Sequence, residues 1–149
     1  MMKNLNRASS TNFFVSFLMA SFFLFAFSSC AKKIVFPTST VVPAAQGSVK
    51  IKKDKNKNYT LDVTISNLAE PKRLDPPKET YVVWMETEGN GTRNIGQINS
   101  SSGFLSSKLK ASLHAVTPFK PIRIFITAED NANVQYPGMM VVLRTDTFN

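Results

Sequence analysis

Four sets of side chains in this sequence are of types that do chemistry. Cys30 is the only cysteine. It can form no disulfide within the chain and no multi-thiolate zinc site, but its thiol can accept an acyl group. His114 is the only histidine, which removes His-rich metal centres. It alternates with Leu113 and Ala115, on the side of Lys110 and Ser112, and is expected to face solvent. Glu86 and Glu88 project to one side of a strand that ends near Asn90, and together they offer fewer oxygens than a calcium site needs. Lys50, Lys52, Lys53, Lys55 and Lys57 put five lysines into eight residues. No Ser or Cys has a recognisable His and acid partner, and no glycine-rich loop is built to cradle phosphate. These features argue against an enzyme, a resident metal and a cofactor.

The lysine cluster has two readings. One is a solvated edge and turn, since edge lysines oppose strand-to-strand aggregation. The other is a candidate anion-binding patch for lipid headgroups, lipopolysaccharide phosphates or acidic glycans, where each lysine near an anionic surface contributes about 1 kcal/mol. The first is favoured. Tyr59 is the only aromatic residue beside the cluster, so nucleic acid is not an expected partner.

The elements that hold these residues follow from patterning. The chain has 149 residues and a formal net charge of +8, which suits a single domain. Lys3 and Arg7 precede the apolar run Phe13 to Phe27, and Ser28, Ser29 and Cys30 close it. A basic start, an apolar stretch of about 7–15 residues and small residues at the exit describe a secretory signal peptide. The run is shorter than the roughly 20 residues a spanning helix requires. Residues 31–47 contain Pro37, Pro43 and Gly47 without lasting periodicity. They are expected to form an extended tether, with an irregular first strand at Ile34-Val35-Phe36 as the alternative.

From residue 48 the period is two. Val49 and Ile51, then Tyr59 to Ile65, then Leu109 to Ala115 and Ile122 to Ile126 alternate with polar neighbours. Tyr81, Val83 and Met85 share a face opposite Val82 and Trp84. Ile95 and Ile98 bracket Gly96, and Met139 to Leu143 is an apolar run. Asp54 to Asn58 and Glu88 to Thr92 read as turns. The fold class expected is all-β, an antiparallel immunoglobulin-like β-sandwich of about seven strands. Trp84 is expected to fill its core. The boundaries expected are a leader over 1–29, Cys30 with its tether over 30–47, and the sandwich over 48–149.

Phe27-Ser28-Ser29-Cys30 resembles the lipobox of a bacterial lipoprotein precursor, of the looser type found in Bacteroidetes-type bacteria. The resemblance implies that the leader is cut before Cys30 and that Cys30 is acylated, giving a membrane anchor. Ala31 in place of Asp implies the outer membrane, and Lys32 and Lys33 in place of acids imply the periplasm-facing side. Two further segments, Tyr81-Val82-Val83-Trp84 with Ile95-Gly96, and Phe125 to Glu129 with Pro137-Gly138, are similar to the extracytoplasmic C-terminal domain of anti-sigma-K-type factors. Asp130 stands where that pattern has Pro. This likeness implies a fold and an envelope location. Sigma-factor inhibition does not follow, because a chain with a cleaved leader leaves no sigma-binding region in the cytoplasm. The function expected is a lipid-anchored, non-enzymatic envelope protein whose sandwich binds another envelope component, whether a protein or an anionic glycan or lipid, or plays a structural role. A sensor or regulatory accessory and a carbohydrate-binding module are the alternatives.

Overall fold

The computed structural model describes residues 31–98, 101–102 and 109–149. Cys30 and the leader expected over 1–29 lie outside these residues. Nine strands are described: β1 (Lys32–Val35), β2 (Gln46–Lys53), β3 (Tyr59–Ser66), β4 (Thr80–Thr87), β5 (Gly91–Ile98), β6 (Ser101–Ser102), β7 (Leu109–Thr117), β8 (Pro121–Glu129) and β9 (Val141–Arg144). They form two antiparallel sheets, ordered β1-β2-β3-β7-β6 and β5-β4-β8-β9. With β2, β3, β7 and β6 as strands A, B, E and D, and β4, β8 and β9 as C, F and G, this is immunoglobulin-like topology. β5 occupies the additional position beside strand C.

Period-two patterning sets which face each strand buries. Val49 and Ile51 of β2 and Leu61, Val63 and Ile65 of β3 turn inward, meeting Tyr81, Val83 and Met85 of β4 and Ile124 and Ile126 of β8. All of these are at most 8% exposed. The outward residues of the first sheet are polar except Val35 and Val116, which are exposed. Those of β4 and β8 are not, and they carry a second apolar cluster of Val82, Trp84 and Phe125. Trp84 is fully buried, yet it stands on the outer face of the second sheet and not between the sheets, contrary to the expected core position. Its strand is apolar on both faces, so burial of Trp84 depends on a lid. The β8–β9 loop supplies it, packing Val134 against the cluster.

The expected tether is not one: residues 32–47 belong to the folded unit, which spans Ala31–Asn149. β1 pairs with β2 through Lys32↔Ile51, Lys33↔Lys50, Ile34↔Val49 and Val35↔Ser48. The chain then turns inward, and Phe36, Val42 and Ala45 join the main core. Ser39 Oγ accepts the Val42 N–H at 2.9 Å and shapes this connection. Gly47 makes room for it, since a Cβ there would lie 3.0 Å from Phe36 and 3.1 Å from Ile65. The prolines interrupt periodicity without removing apolar residues from the segment, and burial of Phe36 and Val42 decides its place.

Two ends of the sandwich can be distinguished. At one end lie the start of β1, the β2–β3 turn, the β4–β5 turn, the β7–β8 connection and the C-terminus. Contacts that gather them include Glu88 N–H to Lys120 O at 3.2 Å and Phe148 N–H to Ile122 O at 2.8 Å. At the other end lie the β1–β2 connection, the β3–β4 connection with its single 3₁₀ turn (Pro71–Arg73) and the origin of the β8–β9 loop. Glu79 N–H donates to Glu129 O there, at 3.0 Å.

Candidate functional site

The five lysines of the cluster all belong to β2 and its turn, but they do not converge on one face. Lys50 and Lys52 point outward from the first sheet, opposite Asp62 and Thr60 in register. Lys53 falls on the other side of the strand, with its ammonium over the Tyr59 ring at 5.4 Å. Lys55 and Lys57 occupy the turn. Asp54 closes that turn by accepting the Asn58 N–H on Oδ1 at 2.8 Å. Lys57 takes φ 67°, the left-handed geometry the tight reversal requires.

Sequence reasoning missed that β1 brings Lys32 and Lys33 to the same place. Lys33 stands directly across from Lys50 on the outer face. Like charges directly opposite on a sheet are destabilising. Lys32 reaches the C-terminus, bonding the Asn149 carbonyl oxygen, and lies over the Phe148 ring at 5.8 Å. The signal was present in Ile34-Val35-Phe36, whose reading as a first strand would have paired Lys33 with β2.

Elsewhere, among the described residues, five Lys and Arg side chains pair with acids, while Arg93 and Arg144 lie over the Phe119 and Phe125 rings and Lys110 makes no ion pair. Lys72 pairs with Glu79, Arg73 with Glu70, Lys78 with Asp130, Lys120 with Glu88 and Arg123 with Glu86. Glu86 and Glu88 are thus each committed to a separate cation, both at 2.8 Å. The hydrogen bond from Lys120 to Glu88 raises the ammonium pKa above its ordinary value. Among the described residues, Lys33, Lys50, Lys52, Lys53, Lys55 and Lys57 make no ion pair. Six lysines without ion pairs therefore lie on β1, β2 and the turn after β2.

His114 faces solvent beside Asp62, 2.6 Å from its Oδ1. Both groups are more than half exposed, which leaves them open to water. Among the described residues, no three His, Cys, Asp or Glu side chains gather in a way that would hold a metal ion.

The second polar arrangement is buried beneath the β8–β9 loop. Trp84 Nε1 donates to Thr127 Oγ1 at 2.7 Å, and Thr127 Oγ1 donates to Glu129 Oε1 at 2.5 Å. The same oxygen accepts the Gly138 N–H at 2.7 Å. A side chain at position 138 would displace the Glu129 carboxylate, because a Cβ would sit 2.7 Å from Glu129 Oε2. Asn94 of β5 holds the other limb of the loop, donating to the carbonyls of Ala132 and Val134 at 3.0 and 3.1 Å. A bulge allows this: Val83 pairs with Gly96 but Trp84 with Asn94, so Ile95 is an extra residue. Gly96 takes φ 136° at that step, and Asn94 emerges on the Trp84 side. The chain of donors is fully used in fastening the loop, and it presents Tyr136 (82% exposed) and Met139 (101%) to solvent.

Set against protein-family models, curated proteins and solved structures, the chain matches none of them.

Proposed function

We propose that this chain is a lipid-anchored, non-enzymatic protein of the bacterial cell envelope, held in the outer membrane by acyl chains on Cys30 and facing the periplasm. In this reading its immunoglobulin-like sandwich is a binding or structural module. The observation that carries the anchor is the position of the sole cysteine, at the exit of an apolar run with a basic start. The binding-module part is supported by how the polar side chains are used. Glu129 and Thr127 fasten a loop, and Glu86 and Glu88 each engage their own cation. One acyl chain holds a protein only marginally, and two or more hold it stably.

The test is metabolic labelling with an alkyne fatty acid, followed by flotation of membranes. The parent is expected to label and to float, and Cys30→Ser to lose both. Equal labelling of parent and variant refutes the anchor.

A regulatory accessory of envelope signalling is a second reading. It is favoured by the meeting of the two likeness-bearing segments, since Tyr81 pairs with Ala128 and Trp84 with Phe125 across β4 and β8. Pulldown of the lipidated protein from envelopes separates it from the first: a signalling protein among the partners supports it, and a purely structural envelope component excludes it.

A further inference from the structure

We infer that the β1 and β2–β3 end of the sandwich seats on the anionic phospholipid headgroups of the same leaflet that holds the anchor, so that the domain stands in a fixed orientation. This rests on the lipid-anchor reading of Cys30. Three observations carry it. First, the folded unit begins almost at the anchor: only Ala31 separates Cys30 from Lys32, the first residue of β1. Two residue steps of extended chain span at most about 7 Å. Second, the register fixes which end of the sandwich is nearest. Lys32 lies opposite Ile51, so the chain enters β1 at the turn end of β2. Lys53 ends β2 two residues past Ile51, again about 7 Å. Lys55 and Lys57 follow in the turn, beyond the last strand pair Lys53↔Tyr59. The turn therefore projects at least as far as the short link can reach, and the anchor cannot lift it away from the headgroups.

Third, most of the charge at that end has no acidic partner within the chain, although Lys53 lies over the Tyr59 ring. Lys52, Lys53, Lys55 and Lys57 are exposed and without ion pairs, and Lys33 opposes Lys50 at the cost of like-charge repulsion. Asp54 is the one acid of the turn, and its carboxylate is occupied by Asn58. An anionic lipid surface supplies the missing counter-charge to all of them together. The Debye length is about 10 Å at 0.1 M salt, so lysines held this close to headgroups interact through little screening. The opposite end, with the β3–β4 connection and the origin of the β8–β9 loop, then points away from the membrane.

The experiment uses the full chain, purified from membranes with its lipid and reconstituted into vesicles of phosphatidylcholine with or without phosphatidylglycerol. With Cys30 acylated, Asn56→Cys or Gln135→Cys introduces the single free thiol, which receives an environment-sensitive fluorophore. Asn56 is at the tip of the turn and Gln135 in the β8–β9 loop, and both are exposed. The label at 56 is expected to be shielded from iodide and quenched by spin-labelled headgroups on phosphatidylglycerol vesicles. That shielding should vanish near 1 M salt, where the Debye length is about 3 Å, and in the Lys52, Lys53, Lys55 and Lys57→Gln variant. The label at 135 should stay open to iodide throughout. Equal iodide access at 56 and 135 on an acylated, floating protein overturns the seating and leaves the anchor standing. Shielding at 56 that is the same on pure phosphatidylcholine overturns the electrostatic basis. Intact mass decides the anchor separately: a chain without acyl mass on Cys30 refutes the anchor, and the seating falls with it.

Discussion

Tyr81 crosses the interior until its hydroxyl donates to the carbonyl oxygen of Ala69, 2.9 Å away. Burial pushes its pKa from 10.0 up to about 12. The unfolded chain loses the phenolic proton near its ordinary pKa, about 10, while the folded chain keeps it to about 12. Between those values the unfolded state binds fewer protons, so the stability is full below about pH 10 and falls as pH rises toward 12. Tyr81→Phe is expected to flatten this alkaline fall while costing about 1 kcal/mol at neutral pH for the lost hydrogen bond. Urea midpoints measured across the alkaline range check both effects. Trp84 stacks on Phe125 with centroids 6.3 Å apart and serves the loop rather than the space between the sheets. Trp84→Ala is expected to cost roughly 3–5 kcal/mol, as large aromatic deletions do. Its distinguishing sign is early protease cleavage within residues 130–140, while far-ultraviolet circular dichroism still reports the sheets. Unaltered cleavage kinetics would contradict the role given to Trp84.

At the scale of elements, the strands that alternate cleanly were legible, and so were the turns, at Asp54–Asn58 and at Glu88–Asn90, where the expected Glu88–Thr92 gives its last two residues to β5. The segment before β2 was not legible. Ile34, Phe36, Val42 and Ala45 enter the core at intervals that match neither a helix nor a strand, because the chain bends through Pro37 and Pro43. The Ile95 bulge was equally hidden, since it is defined only by the partner strand. The candidate patch was legible as a run of lysines but not as an arrangement. Strand alternation sends Lys53 away from Lys52, and the non-local pairing with β1 adds Lys33. A chain starting at Ser48, the boundary patterning suggests, therefore lacks β1, Phe36 and Val42. Fully burying such side chains contributes about 1.5–3 kcal/mol each, against a total of about 5–15 kcal/mol for a domain. The shortened chain is expected to melt well below residues 31–149 and to bind a hydrophobic dye. Equal melting temperatures would return the segment to the status of a tether.

At the scale of the molecule, charge is sorted by position. Ion pairs gather around the β3–β4 connection and along β4 and β8, and six lysines without ion pairs collect on β1, β2 and the turn after β2. That sorting, with the register of β1, is what would give the domain a defined up and down under the proposed anchor. The same register also sets how such a domain bears a mechanical load. A tug on the outward end of a protein anchored at Cys30 arrives at the start of β1 and runs along the strand axis. The β1–β2 hydrogen bonds lie across that axis and, with the Phe36 N–H to Gly47 O bond at 3.0 Å, are strained in shear as a group rather than peeled one after another. In the anchored reading proposed above, an edge strand placed this way would work as a clasp between membrane and domain.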